Sequence, residues 1–188
     1  MAEVKVLLKG YLGDGSCSTV SLVRDVLETG EQMVMVVDPG TVKSQNLIVE
    51  ALKSEGLASE DVTHVGITHG HMDHFRNIGM FGMAKAVDYW GIWSGDDCVS
   101  SDKEDMVKIS GGVKTVKTPG HSYDSITFLV FTSEGEVAIC GDVFWKKDYP
   151  KVEDDPYASD RAELVKSRTK VLEIADAVIP GHGEKYTI

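Results

Sequence analysis

The sequence predicts an α/β (α+β) fold in which two β-sheets pack face to face with helices outside. Three observations lead there. Apolar strand-like runs fall into two groups, each followed by a stretch with helical spacing. A strand–helix–strand passage from Met33 to Ile67 reads as a βαβ unit. Chemically loaded residues stand just past the ends of apolar strands, which gathers them at one sheet edge.

In chain order, Val4–Tyr11 reads as the first strand and Gly13–Ser16 as a turn. Thr19–Leu27 and Met33–Val37 form a hairpin around Thr29–Glu31, ended by Asp38-Pro39-Gly40. Val42–Glu55 reads as a helix with Leu47, Ile48, Ala51 and Leu52 on its apolar face and Gly56 as its stop. Val62–Ile67 is the next strand, with His64 packed in its interior. Val87–Trp90 reads as a strand and Ser100–Ser110 as loop. Val113–Thr118 alternates as a strand, and Ser125–Phe131 pairs with Val137–Cys140 across Ser133–Gly135. Lys146–Pro156 reads as an exposed charged loop. Ser159 is placed to cap a helix carrying Leu164, Arg168, Val171, Leu172 and Ala175, with Asp160 in its first turn. Ala177–Ile179 is the last strand.

The 188 residues suffice for one domain, 1–188, with a sizeable core. A hydrophobic content of 42% and a charged content of 26% are those of a globular chain. The net charge of −11 argues against a broad nucleic-acid surface, though not against a local basic patch. No apolar run reaches the length of a membrane span, and the first residues lack a signal peptide's basic and apolar regions. Cys17, Cys98 and Cys140 are scattered without a CxxC pair, so the expected state is reduced thiols in the cytoplasm.

The chemistry concentrates in Thr68-His69-Gly70-His71-Met72-Asp73-His74, just after a strand. In extended backbone, residues i and i+2 point the same way, so His69 and His71 can reach one metal. Asp73 and His74 follow the turn and face a second position. Imidazole nitrogen and carboxylate oxygen suit zinc, and also iron or manganese. Three more candidates close later strands: His121 in Thr118-Pro119-Gly120-His121, Asp142 in Gly141-Asp142-Val143-Phe144, and His182 in Pro180-Gly181-His182-Gly183.

These motifs, in this order, resemble those of the metallo-β-lactamase-fold hydrolases, from the first strand to the C-terminus. The stretch from Gly141 through Asp155-Pro156 to Gly183 is similar to the compact metallo-β-lactamase domain-containing protein 1 group. The resemblance implies a four-layer αββα metallo-β-lactamase sandwich and a dinuclear zinc site. His69, His71 and His121 match the first metal's ligands, and Asp73, His74 and His182 the second's. Asp142 matches the bridging carboxylate. Two metals about 3.5–4 Å apart can share a hydroxide formed near neutral pH. Asp73 and Asp142 are therefore the expected catalytic carboxylates, Asp73 aiming the hydroxide and Asp142 bridging the metals. The implied activity is hydrolysis of an ester, thioester, lactone or phosphodiester in a small molecule or RNA. The alternatives are an endoribonuclease, with Lys146, Lys147 and Lys151 on phosphate, and a mononuclear iron oxygenase of the persulfide-dioxygenase kind; a third class is a metal-binding protein without catalysis. A true β-lactamase is not expected, because Asp142 stands where its commonest subclass has Cys and Cys140 reads as strand core. Substrate-binding C-terminal helices of the kind longer relatives carry are not expected after His182. A homodimer is therefore expected to complete the cleft, with the segment after Asp142 contributing to its contact or rim; Trp90, Trp93, Phe144 and Trp145 lie near the motif segments and are expected to be partly exposed.

Overall fold

A computed structural model describes residues 1–101 and 103–188. The chain runs β1 (Glu3–Leu8), β2 (Tyr11–Gly13), β3 (Gly15–Cys17), β4 (Val20–Val26), β5 (Gln32–Val37), α1 (Asn46–Ser54), β6 (His64–Gly66) and α2 (Met72–Phe75). It continues through β7 (Lys85–Val87), β8 (Gly91–Ser94), β9 (Asp97–Ser100), β10 (Met106–Lys108), β11 (Val113–Lys117), β12 (Ile126–Thr132) and β13 (Gly135–Ile139). The last elements are α3 (Arg161–Ile174), β14 (Ala177–Ile179) and β15 (Tyr186–Thr187). Among the described residues, one sheet has the order β1-β4-β5-β6-β7-β8-β9 and the other β10-β11-β12-β13-β14-β15; β2 and β3 form a small hairpin of their own. The pairs β5–β6, β6–β7 and β13–β14 are parallel, as crossover connections require.

Strand alternation sorts the apolar residues into three buried clusters, which define four layers. Met33, Met35 and Val37 of β5 meet Phe128, Val130 and Ile139 of the facing sheet in the central cluster. Their neighbour Val36 points the other way and packs with Ile48 and Leu52 of α1. On the far side, Leu129, Ala138 and Val178 pack with Leu164 and Val171 of α3. The nearly continuous apolar run of β5 thus has a physical reason: both of its faces are covered. The result is a mixed, sheet-dominated sandwich, helix on sheet on sheet on helix.

Several elements differ from the sequence reading. The first strand ends at Leu8, because Tyr11 and Cys17 pair across Gly13 and Gly15 as the separate β2–β3 hairpin. Helix α1 starts only at Asn46, and Leu47 is exposed, so its buried face rests on Ile48 and Leu52. The strand read at Val87–Trp90 is a strand end followed by the β8–β9 hairpin. The stretch read as loop at Ser100–Ser110 contains β10, paired with β11; Asp102 within it lies outside the described residues. Ser159 does not cap α3. Asp160 does, its Oδ1 accepting from the N–H groups of Ala162 and Glu163 at 2.9 and 3.0 Å, while the Ser159 hydroxyl donates to Gly120 O. Leu172 is exposed on α3. Phe144 and Trp145 are buried rather than partly exposed, whereas Trp93 is half-buried and Trp90 exposed. Residues 146–156 include the fully buried Asp155, so that loop is only partly surface. Among the described residues, no helix is long and apolar enough to cross a membrane.

Candidate metal centre

The seven candidate donors converge where the two sheets share an edge. β6 ends at Gly66 and delivers His69 and His71; the one-turn helix α2 then carries Asp73 and His74. His121 follows β11, Asp142 follows β13 and His182 follows β14. Two groups form: His69, His71, His121 and Asp142, and Asp73, His74 and His182, each with donor atoms within 4.8 Å of one another.

In the first group, Nε2 of His69 and Nε2 of His121 each lie 3.0 Å from Nδ1 of His71. Nε2 of His121 is 3.4 Å from Oδ2 of Asp142. In the second, His182 Nε2 is 3.7 Å from Asp73 Oδ2. The Asp142 carboxylate also serves this side: its Oδ1 is 3.3 Å from His74 Nε2 and 3.2 Å from His182 Nε2. One carboxylate therefore touches both groups. Room for it is made by glycine, since a Cβ on Gly181 would overlap Asp142 Oδ1. Gly141, at φ +51°, turns the chain beneath Thr68, where a side chain would collide.

The donor chemistry fits a cation. His74 Nε2 and Asp142 Oδ1 are both buried and have no hydrogen-bond partner among the described residues, although they face each other. Buried polar atoms are rarely left so, and a metal ion between them satisfies both. The set is nitrogen and oxygen without thiolate, which suits zinc, iron or manganese. Cys140 stays out of it: it is buried among apolar neighbours, and burial pushes its thiol up to about 12. The charge balance points the same way. Burial and the neighbouring His74 hold His69 well below its ordinary value. Burial would also depress His74, but the carboxylates of Asp142 and Asp38 outweigh it and raise its pKa well above normal. Burial would raise Asp142, yet His74 and His182 hold it well below the usual carboxylate range. The carboxylates in this site call for positive charge.

Behind the donors stand residues that the sequence reading passed over. Asp38 Oδ2 lies 2.8 Å from His74 Nδ1, and Asp38 is itself held by the Thr68 hydroxyl at 2.6 Å and the Thr68 N–H at 2.8 Å. Asp155 Oδ2 lies 3.3 Å from His121 Nδ1, and its Oδ1 accepts from the Tyr157 N–H at 2.9 Å. Cys17 O is 2.9 Å from His182 Nδ1. The Ser16 hydroxyl, on the β2–β3 hairpin, donates to Asp73 Oδ2. Such contacts fix the tautomer and aim of a ligating imidazole. Asp38 carried the signal used for the other donors, a polar residue just past an apolar strand, but its Pro-Gly neighbours made it read as a turn. His64 sits buried in β6, its Nδ1 2.9 Å from Thr63 Oγ1, outside both groups.

His71 and Asp73 are the less buried donors, and they open onto a cavity of about 330 Å³ that also exposes His121, Asp142 and His182. Leu12, Met72, Trp145 and Tyr157 form its apolar walls.

Comparison with known proteins follows the same lines. The family model of the metallo-beta-lactamase superfamily matches residues 17–96. The metallo-beta-lactamase domain-containing protein 1 of Xenopus laevis is 32% identical, over 99% of this chain and 82% of its own length. That of Mus musculus is 30% identical, over 97% and 74%. Among solved structures, a metallo-beta-lactamase family protein from Thermus thermophilus superposes with a TM-score of 0.68 at 17% identity, over 98% of this chain and 74% of that one. An N-acyl homoserine lactone hydrolase, solved with its product at the catalytic metal centre, superposes with a TM-score of 0.64 at 18% identity, over 96% and 92%.

Proposed function

The chain belongs to the metallo-β-lactamase superfamily, and from that premise we propose that it is a dinuclear zinc hydrolase cleaving an ester, thioester, lactone or phosphodiester. The observation that carries this reading is the Asp142 carboxylate, shared by both donor groups on one wall of an open cavity.

His69, His71 and His121 would hold one ion, Asp73, His74 and His182 the other, and Asp142 both. When bound, the pair supplies Lewis acidity toward the scissile carbonyl or phosphoryl oxygen and a water made nucleophilic at neutral pH. The chain's own residues do the rest. Asp73, anchored by Ser16 and facing the cavity, accepts a hydrogen bond from the attacking water and aims it. Asp38 and Asp155 keep His74 and His121 turned inward. Leu12, Met72, Trp145 and Tyr157 cover the apolar part of a small substrate and exclude bulk water. A second copy belongs to the proposal as well: the exposed Trp90 and the exposed Val99 on edge strand β9 offer apolar surface to it.

Elemental analysis of purified, metal-reconstituted protein tests the centre, with two zinc ions per chain expected; fewer than one per chain overturns it, and a single iron selects the oxygenase. A panel of ester, lactone, thioester and RNA substrates then assigns the bond cleaved, and light scattering gives the mass.

A further inference from the structure

A second concave surface adjoins the cavity on its His182 side. It encloses about 530 Å³ and shares Leu12 and His182 with the metal cavity. Four lysines line it, Lys9, Lys146, Lys147 and Lys185, against one carboxylate, Glu184. The chain carries a net charge of −11, so this concentration of ammonium groups reverses the average field at one place beside the catalytic centre.

The lysines come from three segments that the site itself holds together. Lys146 and Lys147 follow Trp145, whose carbonyl accepts from the His182 N–H at 2.7 Å. Lys146 and Tyr149 exchange backbone hydrogen bonds at 3.1 and 3.2 Å, which closes this turn. The Lys146 stem passes Gly183, so that a Cβ there would sit 3.4 Å from its Cγ. Lys9 pairs with Glu184 at 2.9 Å, and Lys185 reaches Glu134 only at 3.8 Å. No carboxylate among the described residues lies within ion-pair distance of Lys146 or Lys147; Lys147 Nζ rests 5.6 Å from the centre of the Tyr186 ring. Two adjacent lysines on this fixed turn therefore line a groove whose one carboxylate, Glu184, is already paired with Lys9.

We propose that this groove is a subsite for an anionic group, phosphate or carboxylate, carried by a small substrate whose scissile bond lies at the metal centre. This deepens the hydrolase reading and rests on it. The anion would sit beyond His182, so it belongs to the part of the substrate next to the second donor group. The four lysines are confined to this groove's lining in a chain of net charge −11, which favours one compact anion over a polyanion.

Three esters sharing one acyl group test it on the metal-loaded protein: one neutral, one ending in phosphate, one ending in carboxylate. In the wild type the KM of an anionic ester is expected to be about tenfold below that of the neutral one. The Lys146→Ala/Lys147→Ala variant should bring that ratio toward one, and Lys147→Glu should invert it; which anion loses more identifies the group. A ratio that is the same in wild type and variants overturns the proposal. So does lysine-dependent binding of a ribo-oligonucleotide with none of either anionic ester. A separate titration with inorganic phosphate, followed by backbone amide shifts, needs no turnover. Shifts at Lys146, Lys147 and Lys185 that vanish in the double variant support the subsite, and shifts confined to the metal donors sink it. If none of the three esters is cleaved, the wider substrate panel decides the hydrolase reading and this titration alone decides the groove.

Discussion

The two donor groups share Asp142 but are held by different means. In the second, His74 leans on Asp38 at 2.8 Å, and Asp38 is fixed twice by Thr68. β5 and β6, which end just before Asp38 and Thr68, are parallel neighbours in register, Val37 beside Gly66. In the first, His121 leans on Asp155 at 3.3 Å, and Asp155 comes from the loop between β13 and α3. One imidazole is thus backed by the sheet and the other by a loop. The sheet-backed contact is shorter and sits in a network whose members are all buried. A loop residue can keep an imidazole in place too, but with fewer anchors on its own carboxylate.

Removing the shared member should abolish the distinction. Asp142→Ala is expected to lower activity and zinc content beyond the roughly 100-fold that loss of a supporting contact reaches, because both groups lose a donor. Cys140→Ser, two residues earlier, should leave both near wild type and cost some stability through packing. Zinc analysis and kinetics on the pair decide; equal losses would mean that the strand does not present Asp142 to the metals.

The next pair separates the groups. Asp38→Asn should weaken zinc binding by about 100-fold and Asp155→Asn by about tenfold, read by competition with a chelator while circular dichroism confirms that each variant is folded. If Asp155→Asn costs as much as Asp38→Asn, the loop supports its histidine as firmly as the sheet does. Ser16→Ala is expected to do less, a few-fold loss in activity with zinc content retained, because Asp73 keeps its place on α2 and loses only the hydroxyl that orients it. A loss of zinc in that variant would show that the β2–β3 hairpin holds a ligand rather than tuning it.

The same contrast explains what could be read from the sequence. His69, His71, Asp73 and His74 announce themselves because they lie within six residues. His121, Asp142 and His182 are legible because each follows an apolar strand beside glycine, so one rule of placement finds all three. The layers are legible because β5 and β12 alternate between two buried faces. The supporting residues are not marked in this way. Asp155 lies in a charged, proline-containing stretch that local composition assigns to solvent, and only the tertiary fold brings it to His121. The β8–β9 hairpin and β10 escaped notice because their residues are mostly exposed, and edge strands with one wet face lose the apolar alternation that marks a central strand. The cap of α3 fell one residue from its expected place because Ser159 and Asp160 are both competent caps, and Ser159 is drawn away by the Gly120 carbonyl.

His64 supplies the reference for the whole comparison, a buried histidine on the strand that delivers the candidate donors yet a member of neither group. His64→Asn should leave zinc content and activity unchanged. Its effect should appear in acid. Burial, with the nearby Lys85 charge, pushes the folded-state pKa of His64 down to about 4 from an ordinary 6.5. Below pH 6.5 the unfolded chain therefore takes up a proton that the folded chain refuses, and stability falls as the pH drops toward 4. The full difference corresponds to about 3 kcal/mol. His64→Asn removes that proton uptake, so the variant should lose less stability than the wild type between pH 7 and pH 5. Every other group is the same in both proteins and cancels in the difference. Urea unfolding at the two pH values measures it. Parallel losses would show that the folded state accommodates a charged His64, and that the acid sensitivity of this protein resides in other groups.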